Sequence, residues 1–318
     1  MKPHGIMFHH FHSCKNKFSY HCKQQGSISA EDLEQILLYL KQNNYNILNA
    51  NDFCFKYIQN QTSTNDVVLT FDDNLLCQYD IAKPILDKHE IKAIWFINTM
   101  TLNKQKINYL DIFRHFRNYS YNSIDEFYND FFNESINVLD FDRKKTFSKF
   151  NPNTYLNECP FYSNDDKTFK FYRDELLTEI EYISIMFRLI KSKKYDWKQF
   201  SNKLWMNEDN IKNLSDEGHI IGMHSHSHST YIDRLSKEEQ FNDYKTNKSI
   251  LEKITNKPIY CMSHPCGKYS KSSLEVLTDL NINIGFIDNM FFDYDNSNLL
   301  IPREDHTNIM KVVKAIWK

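Results

Sequence analysis

Short runs of apolar residues recur along the chain, separated by segments in which apolar residues return at helical spacing. Two of these runs, residues 67–71 (VVLTF) and 91–98 (IKAIWFIN), are apolar almost throughout. Continuous apolar runs of this length are typical of strands that are buried on both faces of a parallel sheet. Further strand candidates are residues 5–11 (GIMFHHF), 217–225 (EGHIIGMHS), 257–263 (KPIYCMS), 283–287 (NIGFI) and 298–302 (NLLIP).

Helices are predicted between several of these strands, over residues 27–44, 80–90 and 235–254. The apolar residues of the first segment share one helical face. Strands that alternate with helices in this way favour a parallel sheet covered by helices, and the repeated βα units suggest a TIM-like barrel. Two capping boxes mark predicted helix starts: Ser29 with Asp32, and Ser236 with Glu239.

The alternation breaks between about residues 100 and 215. Residues 108–133 and 171–205 have the pattern of aromatic-rich helices of mixed charge. We interpret this part as a helical insertion in a single barrel domain that spans residues 1–318. It is either a separate packing unit or a lid or platform for substrate, because long insertions at barrel loops often carry specificity.

Composition narrows the possible functions. A net charge of -2 gives no basic field for nucleic-acid phosphates, so we expect no nucleic-acid partner. No stretch has the length and apolarity of a transmembrane segment, and the N-terminal residues lack an uninterrupted apolar core, so we predict a cytoplasmic protein. The glycines form no phosphate-binding motif, which disfavours dinucleotide enzymes and P-loop NTPases.

The cysteines are odd in number, 7, and contain no C-x-x-C pair, which fits reduced thiols better than a disulfide framework. Cys261 and Cys266 flank His264, which leaves a metal site there conceivable, although ordinary packing explains them as well. The seven residues are Cys14, Cys22, Cys54, Cys77, Cys159, Cys261 and Cys266.

Two adjacent carboxylates, Asp72 and Asp73, follow the predicted strand 67–71. In a parallel barrel the carboxyl ends of the strands meet at one mouth, where such folds place catalysis. Both side chains can turn toward the mouth if the next residue relaxes the backbone, and Asn74 tolerates positive φ. Taken alone, the same three residues are also typical of a turn closed by side-chain hydrogen bonds.

A second polar cluster follows another predicted strand. The strand predicted within residues 217–225 ends at His224, and His228 comes four residues later, so a helical turn here would put both imidazoles on one face. Two such histidines and a carboxylate give three protein ligands with open positions, the pattern of a hydrolytic metal site. His226 would point away from that face and serve capping or hydrogen bonding. There is no H-E-x-x-H motif, which disfavours a zincin protease.

The segments LTFDDN, HSHSH and SHPCGKYS resemble the motifs of the polysaccharide deacetylases, also called carbohydrate esterase family four. The resemblance covers roughly residues 4–98 and 215–305 and leaves the insertion unmatched. It implies an α/β fold, a distorted (β/α)7 barrel. It also implies a divalent metal, most often Zn²⁺ with Co²⁺, Ni²⁺ or Fe²⁺ possible, and an N-acetylated sugar or sugar conjugate as substrate.

The resemblance also assigns roles to residues. Asp72 is implied as general base, while Asp73, His224 and His228 are implied as metal ligands. Two adjacent carboxylates would then have different tasks. One is neutralised by the cation, which can lower the pKa of a water from 15.7 toward about 7, and the other takes the proton. An oxyanion donor is implied at the backbone N–H of Cys266.

Several family positions differ in this chain. Ser263 stands where the family often has an arginine that orients the base, and Arg303, at the end of the predicted strand 298–302, could supply that cation or form an ordinary salt bridge. In the family, a late Leu-x-x-His-Asp motif supplies the histidine that donates a proton to the leaving amine, and this chain has no clean match to that motif. His264 and His306 are the candidates, with His264 favoured because it adjoins the oxyanion loop. The expected substrate-contacting residues are His10, Pro265 and Gly267.

Three functional hypotheses follow. The leading one is a metal-dependent hydrolase that removes an N-acetyl group from a carbohydrate, expected to be a cytosolic precursor of a surface glycan. Within the same chemistry, the acyl group could be formyl or the bond an ester. A different class is a catalytically inactive, sugar-binding member of the fold, suggested by the differences at Ser263, Asn74 and the general acid. The sequence leaves the oligomeric state open.

Overall fold

The computed structural model describes residues 3–13, 21, 23, 26–102, 109–157, 162–201, 203–290 and 297–316. The chain divides into two compact units. The first consists of Met1–Ser13, Gly26–Asn108 and Lys203–Lys318, and the second of Cys14–Gln25 and Tyr109–Asn202. The prediction of one barrel domain with an insertion at about 100–215 stays a prediction. Residues 203–215 belong to the first unit.

The first unit is built on a parallel sheet in which seven strands follow the order β7-β6-β5-β4-β3-β1-β8, with β2 beside β3. The strands are β1 (His4–Phe8), β2 (Asn46–Ile47), β3 (Asp66–Phe71), β4 (Ile94–Ile97), β5 (Ile220–Met223), β6 (Cys261–Ser263), β7 (Ile284–Phe286) and β8 (Arg303–Asp305). Helices surround the sheet, so the predicted distorted (β/α)7 barrel is confirmed.

The barrel is nearly closed by a parallel bridge between Phe286 of β7 and Ile301, just before β8. Gly285 permits this approach, because a Cβ at that position would lie 2.4 Å from the carbonyl oxygen of Leu299. The predicted strand over residues 298–302 is therefore wrong. The N–H of Leu300 donates to the carbonyl of Ser297 in a turn, and the ladder with β1 begins only at Arg303.

Thirteen α-helices are present in the described residues, besides short 3₁₀ and π-helical turns. They are α1 (Ala30–Gln42), α2 (Ala50–Ile58), α3 (Lys83–Lys88), α4 (Tyr109–Tyr119), α5 (Ile124–Ile136), α6 (Phe141–Phe147), α7 (Asn164–Phe171), α8 (Glu179–Ser192), α9 (Lys198–Ser201), α10 (Glu208–Asp216), α11 (Lys237–Thr255), α12 (Lys271–Asp279) and α13 (His306–Ile316). Both predicted capping boxes, at the starts of α1 and α11, are confirmed. The predicted helix 80–90 is a π-helical turn, Gln78–Ala82, that continues into α3.

The apolar strands are buried on both faces. Val68 of β3 belongs to a smaller apolar cluster that also contains Ile94, Phe96 and Ile284 from other strands. Its neighbours Val67 and Leu69 belong to a second, larger apolar cluster on the other face, which also contains the apolar residues of α1. Because successive side chains of a strand point to opposite faces, burial on both sides requires an uninterrupted apolar run.

The second unit contains α4 to α9 and is held together mainly by aromatic side chains. Phe127 and Phe131 of α5 are fully buried and contact Phe169 of α7, and Phe113 of α4 contacts Tyr182 of α8 edge to face. The helices predicted within residues 108–133 and 171–205 are confirmed as α4, α5, α8 and α9 with a π-helical turn at Tyr172–Leu176, but residues 203–205 are not helical.

Four cysteines are free thiols in the described residues: Cys54, Cys77, Cys261 and Cys266. Cys14, Cys22 and Cys159 lie outside those residues, so their predicted reduced state stays a prediction. None of the described helices combines the length and apolar composition needed to cross a membrane.

Replacing His219 is expected to weaken the pH dependence of stability. Burial lowers the pKa of His219 from 6.5 to about 4, and its neutral Nδ1 accepts the N–H of Ala93 at 3.0 Å. Between these pH values the unfolded chain binds a proton that the folded chain does not, so the free energy of unfolding falls as the pH falls. The full effect of one such group is about 1.4 kcal/mol per pH unit.

His219→Asn can still accept the Ala93 N–H but does not titrate. We expect urea unfolding between about pH 4.5 and 6.5 to show a slope reduced by up to that amount relative to the wild type. An unchanged slope would show that His219 is not a buried neutral histidine.

Candidate metal and catalytic site

Two consecutive residues with left-handed backbone follow β3. Asp73 has φ 79° and Asn74 has φ 59°. Asn74 is fully buried, and its amide donates to the Thr101 hydroxyl at 2.9 Å and to the Met206 carbonyl at 3.3 Å, which holds the turn. The positive φ expected at Asn74 is confirmed. Asp73 adopts it too, and both carboxylates come within 4.0 Å of the His9 ring.

Three side chains from two distant segments converge beside this turn. The Oδ1 atom of Asp73 lies 3.3 Å from Nε2 of His224 and 3.0 Å from Nε2 of His228, and the two Nε2 atoms are 3.2 Å apart. Both histidines are buried, and 14% of the Asp73 side chain is exposed. The three donor atoms thus form a nearly equilateral triangle.

The triangle has the dimensions of a metal site. Ligands about 2.0 Å from a tetrahedral Zn²⁺ are separated by about 3.3 Å from one another, close to the observed spacing. Nδ1 of His224 lies 2.9 Å from the carbonyl oxygen of Ser263, so the ring donates there and leaves the Nε2 lone pair for a cation. These residues therefore fit a divalent metal, whose identity the donor set does not select. Their roles as ligands stay predictions.

The helical turn expected between His224 and His228 is wrong. After β5 the chain forms a loop in which Ser225 has φ 58° and His228 has φ 51°, values that no right-handed helix contains. The hydroxyl of Ser225 accepts the N–H of His228 at 2.9 Å. The imidazoles meet because of this loop conformation and not because of helical spacing.

Asp72 is bound by Arg303 of β8, which is separated from β3 by β1 alone in the sheet. Nη1 of Arg303 donates to Oδ1 of Asp72 and Nη2 donates to Oδ2, each at 2.7 Å. Both side chains are almost completely buried, with 1% and 2% exposed. Nη2 also donates to the Ser263 hydroxyl at 2.7 Å, so the serine at the family's arginine position joins this network. Burial alone would raise the pKa of Asp72, but the charge of Arg303 and its hydrogen bonds hold that pKa below its ordinary value.

Arg303 lies at the start of β8 and not at the end of a strand, which corrects its predicted placement. It is paired in register with Gly5 of β1, which in turn pairs with Val68 of β3, four residues before Asp72. A Cβ at Gly5 would lie 2.9 Å from the Arg303 Cγ, so the glycine makes room for the guanidinium to pass toward Asp72.

The two histidines predicted as proton donors bond to backbone carbonyls. Nε2 of His264 donates to the Leu299 carbonyl at 2.9 Å, and burial lowers the pKa of His264 to about 4. The ring of His306 lies 3.0 Å from the carbonyl oxygens of both Met7 and Gly26. These contacts explain each histidine as part of the packing. Their proposed catalytic roles stay predictions.

The remaining predicted residues lie on two segments. Pro265, Cys266 and Gly267 form a 3₁₀ turn directly after β6, with Cys266 exposed and at φ 53°. His10 is buried, and one of its ring nitrogens lies within 4.8 Å of a carboxylate oxygen of Asp73. The oxyanion and substrate roles of these four residues stay predictions.

His9 also faces the site, although its sequence context did not predict a role for it. Its Nε2 lies 3.9 Å from Oδ2 of Asp72 and 4.0 Å from Oδ2 of Asp73, and 26% of its side chain is exposed. Parallel pairing of β1 with β3 aligns Phe8 with Phe71, so the residues that follow them, His9 and Asp72, are neighbours. A correct prediction of the β1–β3 register would therefore have placed His9 at the site.

Comparison with known proteins gives the same family as the sequence motifs. Residues 184–285 match the polysaccharide deacetylase family, a stretch that contains His224, His228 and the HPCG loop. A search of curated proteins finds no match.

Several solved structures share the fold at low sequence identity. The deacetylase PplD of Streptococcus pyogenes, solved with acetate, is 15% identical, with a TM-score of 0.57 over 98% of this chain and 98% of that one. A de-N-acetylase from Aggregatibacter actinomycetemcomitans is 13% identical, with a TM-score of 0.55 over 98% and 99%. IcaB from Ammonifex degensii is 11% identical, with a TM-score of 0.54 over 99% and 100%. The sequence match and the shared fold together confirm the resemblance of this chain to the polysaccharide deacetylase family.

Proposed function

We propose that this protein is a metal-dependent hydrolase that removes an N-acetyl group from a carbohydrate. The observation that carries the proposal is the triangle of donor atoms from Asp73, His224 and His228 beside an Asp72 carboxylate that Arg303 keeps charged. Two of the similar structures are described as a deacetylase and a de-N-acetylase, and we extend that activity to this chain.

Asp73, His224 and His228 would hold the metal ion. A bound divalent cation supplies acidification of water and polarisation of the carbonyl oxygen that is attacked. The Ser263 carbonyl fixes the ring of His224 in the tautomer that binding requires.

Asp72 would take the proton of the attacking water. Both of its oxygens accept hydrogen bonds from Arg303, and Oδ2 also lies 3.9 Å from Nε2 of His224, on the side of the predicted ligands. A carboxylate whose pKa is held low is unprotonated at neutral pH, which is the state that can accept a proton. Arg303 is a positioning residue that fixes its direction.

We propose His9, in preference to His264 and His306, as the donor of a proton to the leaving amine. It is partly exposed and faces both carboxylates, whereas the rings of the other two bond to backbone carbonyls. The backbone N–H of Cys266 remains our proposed oxyanion donor, with Pro265, Gly267 and His10 proposed to contact the sugar.

His9→Gln is expected to lower kcat for an unactivated N-acetyl sugar by about 10²–10⁴-fold, the usual contribution of a general acid. An acetyl ester with a good leaving group needs no such proton, so we expect its hydrolysis to fall much less. Equal loss on both substrates would contradict the role of His9. The matched control, His12→Gln, changes a nearby histidine that bonds to the Ser27 hydroxyl at 2.9 Å, and it should leave both rates unchanged.

The proposed function is tested by acetate release from purified protein loaded with Zn²⁺ or Co²⁺. The substrates are N-acetylated sugars, sugar nucleotides and oligosaccharides, each matched with N-formyl and O-acetyl analogues. Release of acetate and free amine supports the proposal. Faster release from the formyl or ester analogues would replace it by a deformylase or esterase, and binding without release from any substrate would favour an inactive sugar-binding protein.

We also propose that the substrate is a soluble precursor of a surface glycan, handled in the cytoplasm. This proposal extends the cytoplasmic location that was predicted from the sequence. Preference for sugar nucleotides over oligosaccharides in the same assay would support this substrate class, and the reverse preference would contradict it.

A further inference from the structure

The loop that carries the predicted ligands adopts an uncommon backbone conformation. Ser225 and His228 both have left-handed φ, and neither is glycine. Left-handed backbone is strained for residues other than glycine and persists only where the surrounding structure holds it. The internal bond between the Ser225 hydroxyl and the His228 N–H is one such restraint. His226 and Ser227, which lie between them, are held by side chains from outside the loop.

Helix α11 provides that restraint through two side chains, Asp243 and Asn247, one helical turn apart. The carboxylate of Asp243 accepts the backbone N–H of His226 at 2.7 Å and that of Ser227 at 3.0 Å, one on each oxygen. Both N–H groups belong to the segment between the two predicted ligands. A charged acceptor makes these bonds stronger than neutral ones.

Asn247 is fully buried and binds the start of the same loop. Its Oδ1 accepts the N–H of His224 at 3.1 Å. Its amide donates to the Ile97 carbonyl and to the Thr99 hydroxyl, each at 3.0 Å, which ties the loop to the end of β4. The Thr99 hydroxyl in turn lies 2.9 Å from Nδ1 of His226, so the middle histidine of HSHSH takes the hydrogen-bonding role expected for it.

We propose that Asp243 and Asn247 are positioning residues that hold residues 224–228 in the ligating conformation before the metal binds. The proposal rests on the metal site of the proposed function and extends it to a helix whose two side chains bond the backbone of the ligand loop. Without this restraint the loop would relax its left-handed residues, and part of the free energy of metal binding would be used to restore them. Supporting residues around a metal site typically change its affinity by 10–100-fold.

The test compares Asp243→Ala with Asn242→Ala, a matched control at an exposed position on the same helix. Co²⁺ is the probe, because its visible absorption reports the number and geometry of its ligands. We expect Asp243→Ala to raise the dissociation constant for Co²⁺ by about 10–100-fold and to change the visible spectrum. Asn242→Ala should leave both as in the wild type.

A second pair of measurements separates positioning from general stability. Asp243→Asn keeps one carbonyl-type acceptor, and we expect it to restore part of the lost affinity. Thermal unfolding of the metal-free proteins reports stability independently. A fall in melting temperature with unchanged Co²⁺ affinity and spectrum, for both Asp243 variants, would overturn the positioning role.

The two proposals fail in different ways. A wild-type protein that binds no Co²⁺ would overturn the proposed function together with this role. A wild-type protein that binds Co²⁺ and releases acetate, with Asp243→Ala indistinguishable from it in affinity and spectrum, would overturn only the role of α11.

Discussion

Asp72→Asn is expected to abolish deacetylation while the metal ion stays bound. The amide cannot take a proton from water, and loss of a general base typically costs about 10²–10⁴-fold in kcat. Asp72 is not one of the three atoms in the ligand triangle, so the metal content of the variant should equal that of the wild type. Acetate release and elemental analysis on the same preparation measure both quantities.

Asp66→Asn is a matched control for this variant. It makes the same substitution at the start of β3, where Asp66 is also buried but bonds to Ser63 and Asn46. We expect some loss of stability and no loss of metal or turnover per folded molecule. An Asp72→Asn protein that keeps kcat within about 10-fold of the wild type would contradict the role of Asp72 as base.

Arg303→Met is expected to destabilise the fold and to shift the pH dependence of catalysis. It leaves the Asp72 carboxylate buried without its partner, and breaking a buried ion pair in this way typically costs about 3–5 kcal/mol. Without the guanidinium, burial would raise the pKa of Asp72 above its ordinary value, so the base would be protonated at a pH where the wild type is active. The acid limb of the kcat/KM profile should therefore move to higher pH.

Arg303→Lys should recover part of both effects, because it restores the charge but not the paired hydrogen bonds. Arg188→Met is the control: Arg188 pairs with Glu134 at 3.0 Å on an exposed surface, and such pairs contribute about 0–1 kcal/mol. Urea unfolding measures the loss of stability, and the pH dependence of kcat/KM reports the pKa of the base. If Arg303→Met unfolds like Arg188→Met and keeps the wild-type pH profile, Arg303 does not hold the base.

The fold could be predicted from sequence where a single local pattern decides the structure. The strands β3 and β4 are recognisable because burial on both faces requires apolar side chains at every position. Strand β8 could not be found in this way. Its residues are the charged Arg303, Glu304 and Asp305; it pairs with β1, and Arg303 is buried there as the partner of Asp72, the residue after β3. The apolar run just before it was taken for the strand instead.

The site shows the same limit. Asp72, Asp73, His224 and His228 were singled out because they follow predicted strands, the family resemblance then implied their roles, and the structure brings them together. His9 was missed because three histidines follow β1 and only the register with β3 distinguishes them. The part that α11 plays had no sequence signal, since an aspartate and an asparagine one turn apart on a polar helix are ordinary.

The central claim is that Asp73, His224 and His228 hold one divalent ion, and metal content tests it most directly. Elemental analysis should find one ion per chain in the wild type after incubation with Zn²⁺ and desalting, and none in a folded Asp73→Ala protein. A wild type that retains no metal, or an Asp73→Ala variant that retains a full equivalent, would contradict the account.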